Sequence, residues 1–264
     1  MAGLVLLVVM VSATACDSVD EHKPAPAPSS TPTWPAVNVY EVPDQLRDAT
    51  MVWSAESGID LFSDEGVVTR AAEESALIGL MVGLDYAYIG FASSSDSTVG
   101  PVLGDFEADT GRGPFAGTVH GHIQQIIPTE TGFDAVLCVL SVGLDVLVDG
   151  KYSPSRIANG EGSELRTRFI RTGETVDAPA RPPLLSTANP DDLHWQAPIG
   201  NEFRGWKIDG FTDRDPITSG NGRCTQWARS LYPETTPVIP RDAYANEDPP
   251  PVQPAYPGWP DGSN

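Results

Sequence analysis

His120 and His122 stand two residues apart on a predicted β-strand, so both imidazoles face the same way and could begin a metal site. The carboxylates that could complete it are Asp105, Glu107 and Asp109 in the segment just before. Their spacing is not that of a calcium loop, no third ligand has a diagnostic interval, and solvated carboxylates are the reading we take. His194 follows Asp191 and Asp192, the minimum for general-base work, but Pro190 and Pro198 frame the stretch as a loop and we expect no catalysis there. Of three cysteines, Cys138 sits among Val136, Leu137, Val139 and Leu140, flanks that raise a thiol pKa and argue against a nucleophile. No serine elbow, phosphate loop, dinucleotide fingerprint or zinc-protease motif occurs, so we expect no catalytic residues, no metal and no cofactor.

Cys16 has a different context. An uncharged run from Ala2 through Leu4, Leu7, Val9 and Val11 reaches the small residues Ala13, Thr14 and Ala15, then the cysteine. That pattern is a bacterial lipoprotein signal over residues 1–15, with a thiol that takes a diacylglycerol and becomes the mature N-terminus. The run is shorter than the roughly 18 to 20 apolar residues of a spanning helix. It lacks the usual basic residue ahead of the apolar region, which leaves the position of the start in question and keeps an ordinary cleaved signal or a short uncleaved anchor as alternatives. With Cys16 acylated, Cys138 and Cys224 remain. In an exported chain they are either a disulfide, contributing about 4 to 5 kcal/mol by loop entropy, or Cys138 is simply a buried thiol.

The charge is -20, with 16 basic against 36 acidic residues. Nucleic acid is excluded as a partner, because phosphate contacts need clustered Lys and Arg. Docking on anionic lipid is disfavoured too, so a lipid anchor would do the membrane work. Proline collects at both ends. Residues 16–37 read as a Pro-rich tether and 233–264 as a disordered Pro-rich tail, neither able to bury enough apolar surface to fold. The domain between them is 38–232.

Within it, Ser63 or Asp64 is placed to cap a helix running from about Val67 to Ile89. Its first half is amphipathic, Arg70, Glu73 and Glu74 opposing Val67, Val68, Ala71 and Ala72. The second half is apolar all round and must be covered on both sides. Gly79 and Gly83 let it approach its neighbours closely. Strands are predicted over Phe115–Ile127, Phe133–Ser141 with an extension or short hairpin at Leu144–Val148, Glu164–Thr172 and Phe203–Phe211, with a turn at Asp149-Gly150. Helix first and antiparallel strands after it argue an α+β class.

The helix ending in Tyr88-Ile89-Gly90-Phe91, the strand Val136-Leu137-Cys138-Val139, the Arg-rich strand at 164–172 and Gly205-Trp206-Lys207-Ile208-Asp209 resemble the NTF2-like fold, a cone with a long N-terminal helix packed on a curved antiparallel sheet. Trp53 to Glu56, Arg70 to Ser75, and Cys224 with Trp227 resemble uncharacterised lipoproteins of actinobacteria, mycobacteria and their phages. The resemblance covers about residues 50–232. It implies a pairing of Cys138 with Cys224 and brings no catalytic dyad.

The expected role is a non-catalytic, membrane-anchored envelope lipoprotein on the extracytoplasmic face, presenting a binding surface to another envelope protein or a small apolar ligand. One alternative is a phage or prophage lipoprotein mediating superinfection exclusion. The other is an enzyme using the cone's pocket, which requires an inward-facing Asp or His; Phe203, Trp206 and Phe211 could line such a pocket for an apolar ligand or simply be core.

Overall fold

Ser63 does cap a helix. In the computed structural model, which describes residues 40–95, 113–155, 157–173, 193–214, 223–234 and 245–259, its hydroxyl accepts from the Gly66 amide at 3.1 Å. Asp64 and Glu65 fill the first turn, where the helix dipole favours negative charge. Helix α1 runs Asp64–Val82 and stops at Gly83, whose φ of 113° is open to glycine and closed to most other residues. The end comes before the expected Ile89, because Gly83 acts as a terminator. Among the described residues two shorter α-helices follow, α2 at Phe91–Ser94 and α3 at Arg223–Leu231.

The sheet has six strands: β1 Asp48–Ala55, β2 Phe115–Pro128, β3 Gly132–Val148, β4 Lys151–Pro154, β5 Ser163–Arg171 and β6 Trp206–Arg214. Its order is β1-β2-β3-β5-β6, with β4 paired to β3. Strand β1 precedes the helix and pairs with β2 in parallel; every other pairing is antiparallel. This overturns the NTF2-like cone. The molecule is a mixed, sheet-dominated structure whose 19-residue helix connects two parallel strands and does not lead into an antiparallel sheet. The physical reason is β1 itself: Ala49, Met51 and Trp53 bury one face of a strand that the resemblance had no place for.

Phe133, Ala135, Leu137 and Val139 of β3 enter the main apolar cluster together with Val67, Val68, Ala71, Ile78 and Met81 of α1. The alternate residues of β3, Asp134, Val136 and Cys138, therefore line the opposite, outer face. Close approach on the inner face depends on Gly121, where a Cβ would lie 2.5 Å from the Trp53 ring. Strand β3 runs unbroken to Val148 and turns at Asp149-Gly150, both at positive φ as the dipeptide predicts. Residues 38–264 form one compact unit. Over 245–259 the expected disordered tail is corrected: Ala255 and Trp259 are buried, and Tyr256 bridges Val52 of β1. Its prolines hold the segment extended, and its aromatics supply the burial that composition alone did not suggest. Residues 1–37, and Cys16 with them, lie outside the described residues.

Candidate functional site

The parallel register sets Ser54 directly beside His122. Their Oγ and Nδ1 are 2.8 Å apart, and the other ring nitrogen is 3.4 Å from Oε1 of Glu56. Hydroxyl, imidazole and carboxylate in that order could move a proton from serine to histidine. The indole of Trp227 in α3 stacks on the imidazole, centroids 5.3 Å apart and planes 19° apart. One ring face is thus covered, and the arrangement satisfies a buried histidine.

His120 shares the face, as the spacing predicts, but has its own partner. Its Nε2 is 3.1 Å from the Tyr232 hydroxyl, and burial pushes the imidazole down to about 4. Asp105, Glu107 and Asp109 lie outside the described residues. Among the described residues no three His, Cys, Asp or Glu side chains could hold a metal together. His194 is exposed, its Nδ1 3.0 Å from the Arg47 carbonyl, while Asp191 and Asp192 fall outside the described set. Phe203 and Trp206 pack in the core, and Trp206 meets Phe133 edge-on at 5.1 Å. Phe211 packs on Phe91 at 6.2 Å.

Helix α3 is held over the histidines by a disulfide between Cys138 and Cys224, 86 residues apart in sequence. His122 and Cys138 oppose each other across β2 and β3, so the bridge fastens the helix immediately beside the imidazole it covers.

A second centre lies on the inner face, and nothing in the sequence announced it. Glu74 is 3 % exposed. Its Oε1 accepts from the Trp53 indole at 2.7 Å, and its Oε2 accepts from the Tyr88 hydroxyl and the Trp259 indole, each at 2.7 Å. The Trp195 indole donates in turn to the Tyr88 oxygen at 2.9 Å. Arg70, also buried, lies over the Trp259 ring at 4.3 Å. Desolvation raises the Glu74 carboxyl above the ordinary carboxylate range, against the pull of Arg70 and the three donors. The amphipathic reading of α1 is corrected here, since Arg70, Glu73 and Glu74 face protein and not solvent. The cavity beside them, lined in part by Gln196 and Tyr256, measures about 10 Å³, room for about one water.

The outer face carries a third feature. Where α3 begins at Arg223, the sheet is left open as a groove of about 220 Å³ lined by Gln125, Ile127, Val136, Glu164, Arg166 and Arg223. Gln125, Val136 and Arg166 are register partners across β2, β3 and β5 and form its floor. Asp134, whose side chain is 4 % exposed, pairs with Arg166 and with Nε of Arg168 at 2.9 Å. Those guanidiniums hold its carboxyl below the usual range.

Compared with known protein families, with curated proteins and with solved structures, the chain matches none.

Proposed function

We propose that the chain is an exported, lipid-anchored binding module that performs no catalysis of its own. The observation that carries this reading is the Cys138–Cys224 disulfide, because such bridges persist in oxidising compartments. With both of those cysteines engaged, Cys16 keeps the one thiol placed behind an apolar run and small residues. Lipid supplies the membrane affinity, since a net charge of -20 repels anionic headgroups. Among the described residues no helix is long and apolar enough to cross a membrane.

The non-catalytic part of the reading draws on three placements. Trp227 covers His122, His194 rests on a backbone carbonyl, and Phe203 and Trp206 are core residues. The binding part draws on the open groove at the start of α3.

The experiment is fractionation of the expressed full-length chain against Cys16→Ala, with metabolic labelling by a radioactive fatty acid. Wild type is expected in the membrane fraction and labelled, the variant soluble and unlabelled. A variant that stays with the membrane overturns the lipid anchor.

A further inference from the structure

The groove at the start of α3 holds two opposite charges that do not meet. Glu164 and Arg223 both line it, yet neither is paired among the described residues. Their positions follow from the covalent and strand framework. Glu164 is the register partner of Cys138, Cys138 is bonded to Cys224, and Arg223 is the next residue along the chain. The disulfide therefore holds the backbone that carries the carboxylate on the sheet close to the backbone that carries the guanidinium on the helix. Arg166 stands two residues from Glu164 on the same face of β5, its guanidinium fastened by the buried Asp134. Below them lie Val136, buried, and Ile127, 39 % exposed.

We propose that this groove is a binding site for a small zwitterion of amino-acid type with an aliphatic body. Its carboxylate lies between Arg166 and Arg223, its ammonium meets Glu164, and its side chain rests on Ile127 and Val136. The assignment rests on the reading of the chain as a binding module and names what that module takes. Two considerations select the zwitterion over a simple anion. A purely anionic ligand enters the field of a molecule carrying a net charge of -20, whereas a zwitterion has no net charge and escapes that repulsion. A simple anion would also leave Glu164 facing it. The volume, about 220 Å³, lies below the roughly 300 Å³ at which pockets for drug-sized ligands begin, which fits a single residue.

The test is isothermal titration of the purified full-length protein with L-leucine, leucinamide and N-acetyl-leucine. Leucine is expected to bind saturably, and the two blocked forms about tenfold or more weaker, because each leaves one charged group of the groove unmatched. Arg223→Ala should weaken leucine and leave leucinamide unchanged; Glu164→Gln should weaken leucine and leave N-acetyl-leucine unchanged. Both positions are at the surface, and equal thermal melts will show that the variants fold. N-acetyl-leucine binding as tightly as leucine overturns the zwitterion in favour of an anion site. Absence of saturable binding by a protein that melts normally overturns the site altogether. Neither result touches membrane partitioning through Cys16, so failure of the ligand and failure of the anchor are read separately.

Discussion

The imidazole of His122 lies nearly parallel to the indole of Trp227, 5.3 Å from centre to centre, and the helix that brings the indole there is bonded to the residue opposite that histidine. Stack and bridge hold the same contact from two sides. Its other buried residues are the small Thr225 and Ala228, and beyond them the helix is held by an ion pair from Arg229 to Glu161 at 3.6 Å and by the contact of Tyr232 with His120.

Removing the bridge should therefore loosen α3 first. Replacing both Cys138 and Cys224 by serine, or reducing the wild type, is expected to lower stability by up to about 4 to 5 kcal/mol on the loop-entropy account. Urea unfolding with and without dithiothreitol measures it. Coincident curves would mean that the bridge contributes nothing to the fold.

Glu74→Gln puts an amide N–H where an indole or phenol already donates and removes the countercharge of Arg70. The orphaned donor alone costs about 1 to 3 kcal/mol. The pH dependence has a definite sign. Because the folded carboxyl is raised, the native state holds the proton to higher pH than the unfolded chain, and stability falls as pH climbs from the ordinary glutamate value near 4.3. The wild-type advantage over the variant should therefore shrink as pH rises, which chemical denaturation at pH 4, 5.5 and 7 will follow.

Trp259→Ala leaves a hole between α1 and β1 and strips one donor from Glu74. Destabilisation of about 3 to 5 kcal/mol is expected for so large a buried aromatic. Trypsin offers no site within 245–259, so thermolysin is the protease to use, with cleavage near Tyr256 accelerated in the variant. Unfolding at the wild-type urea concentration would show that the segment docks without stabilising.

His120 has the opposite pH sign to Glu74. Burial sets its imidazole at about 4 against about 6.5 in the unfolded chain. The stability it confers is complete above pH 6.5 and is lost as pH falls toward 4, by about 3 kcal/mol in all. His120→Gln should flatten stability across that window. A variant that tracks the wild type throughout would assign the acid sensitivity to other groups.

Local signals carried the helix cap at Ser63, the strands β2 and β5, and the turn at Asp149-Gly150, because each depends on neighbours within a few residues. The disulfide was legible from a compartment argument, and the structure supplies it. Strand β1 was not legible. Asp48–Ala55 is short, and its burial depends on pairing with β2 in a register that only the fold creates. Glu74 was read as a solvent-facing charge because its donors lie 21, 14 and 185 residues away, beyond the reach of any periodicity. The last residues misled for a compositional reason: prolines that cannot donate to a ladder still allow Tyr256 and Trp259 to anchor what lies between them.

That anchored segment has a consequence for the company this molecule keeps. Strand β1 is the outermost strand of its side of the sheet, and an outermost strand offers free amides and carbonyls to any passing chain. Tyr256 takes them: its carbonyl accepts from Trp53 at 2.7 Å and its amide donates to Met51 at 3.2 Å. Copies that met edge to edge on this side would find the Met51 carbonyl and the Trp53 amide already taken.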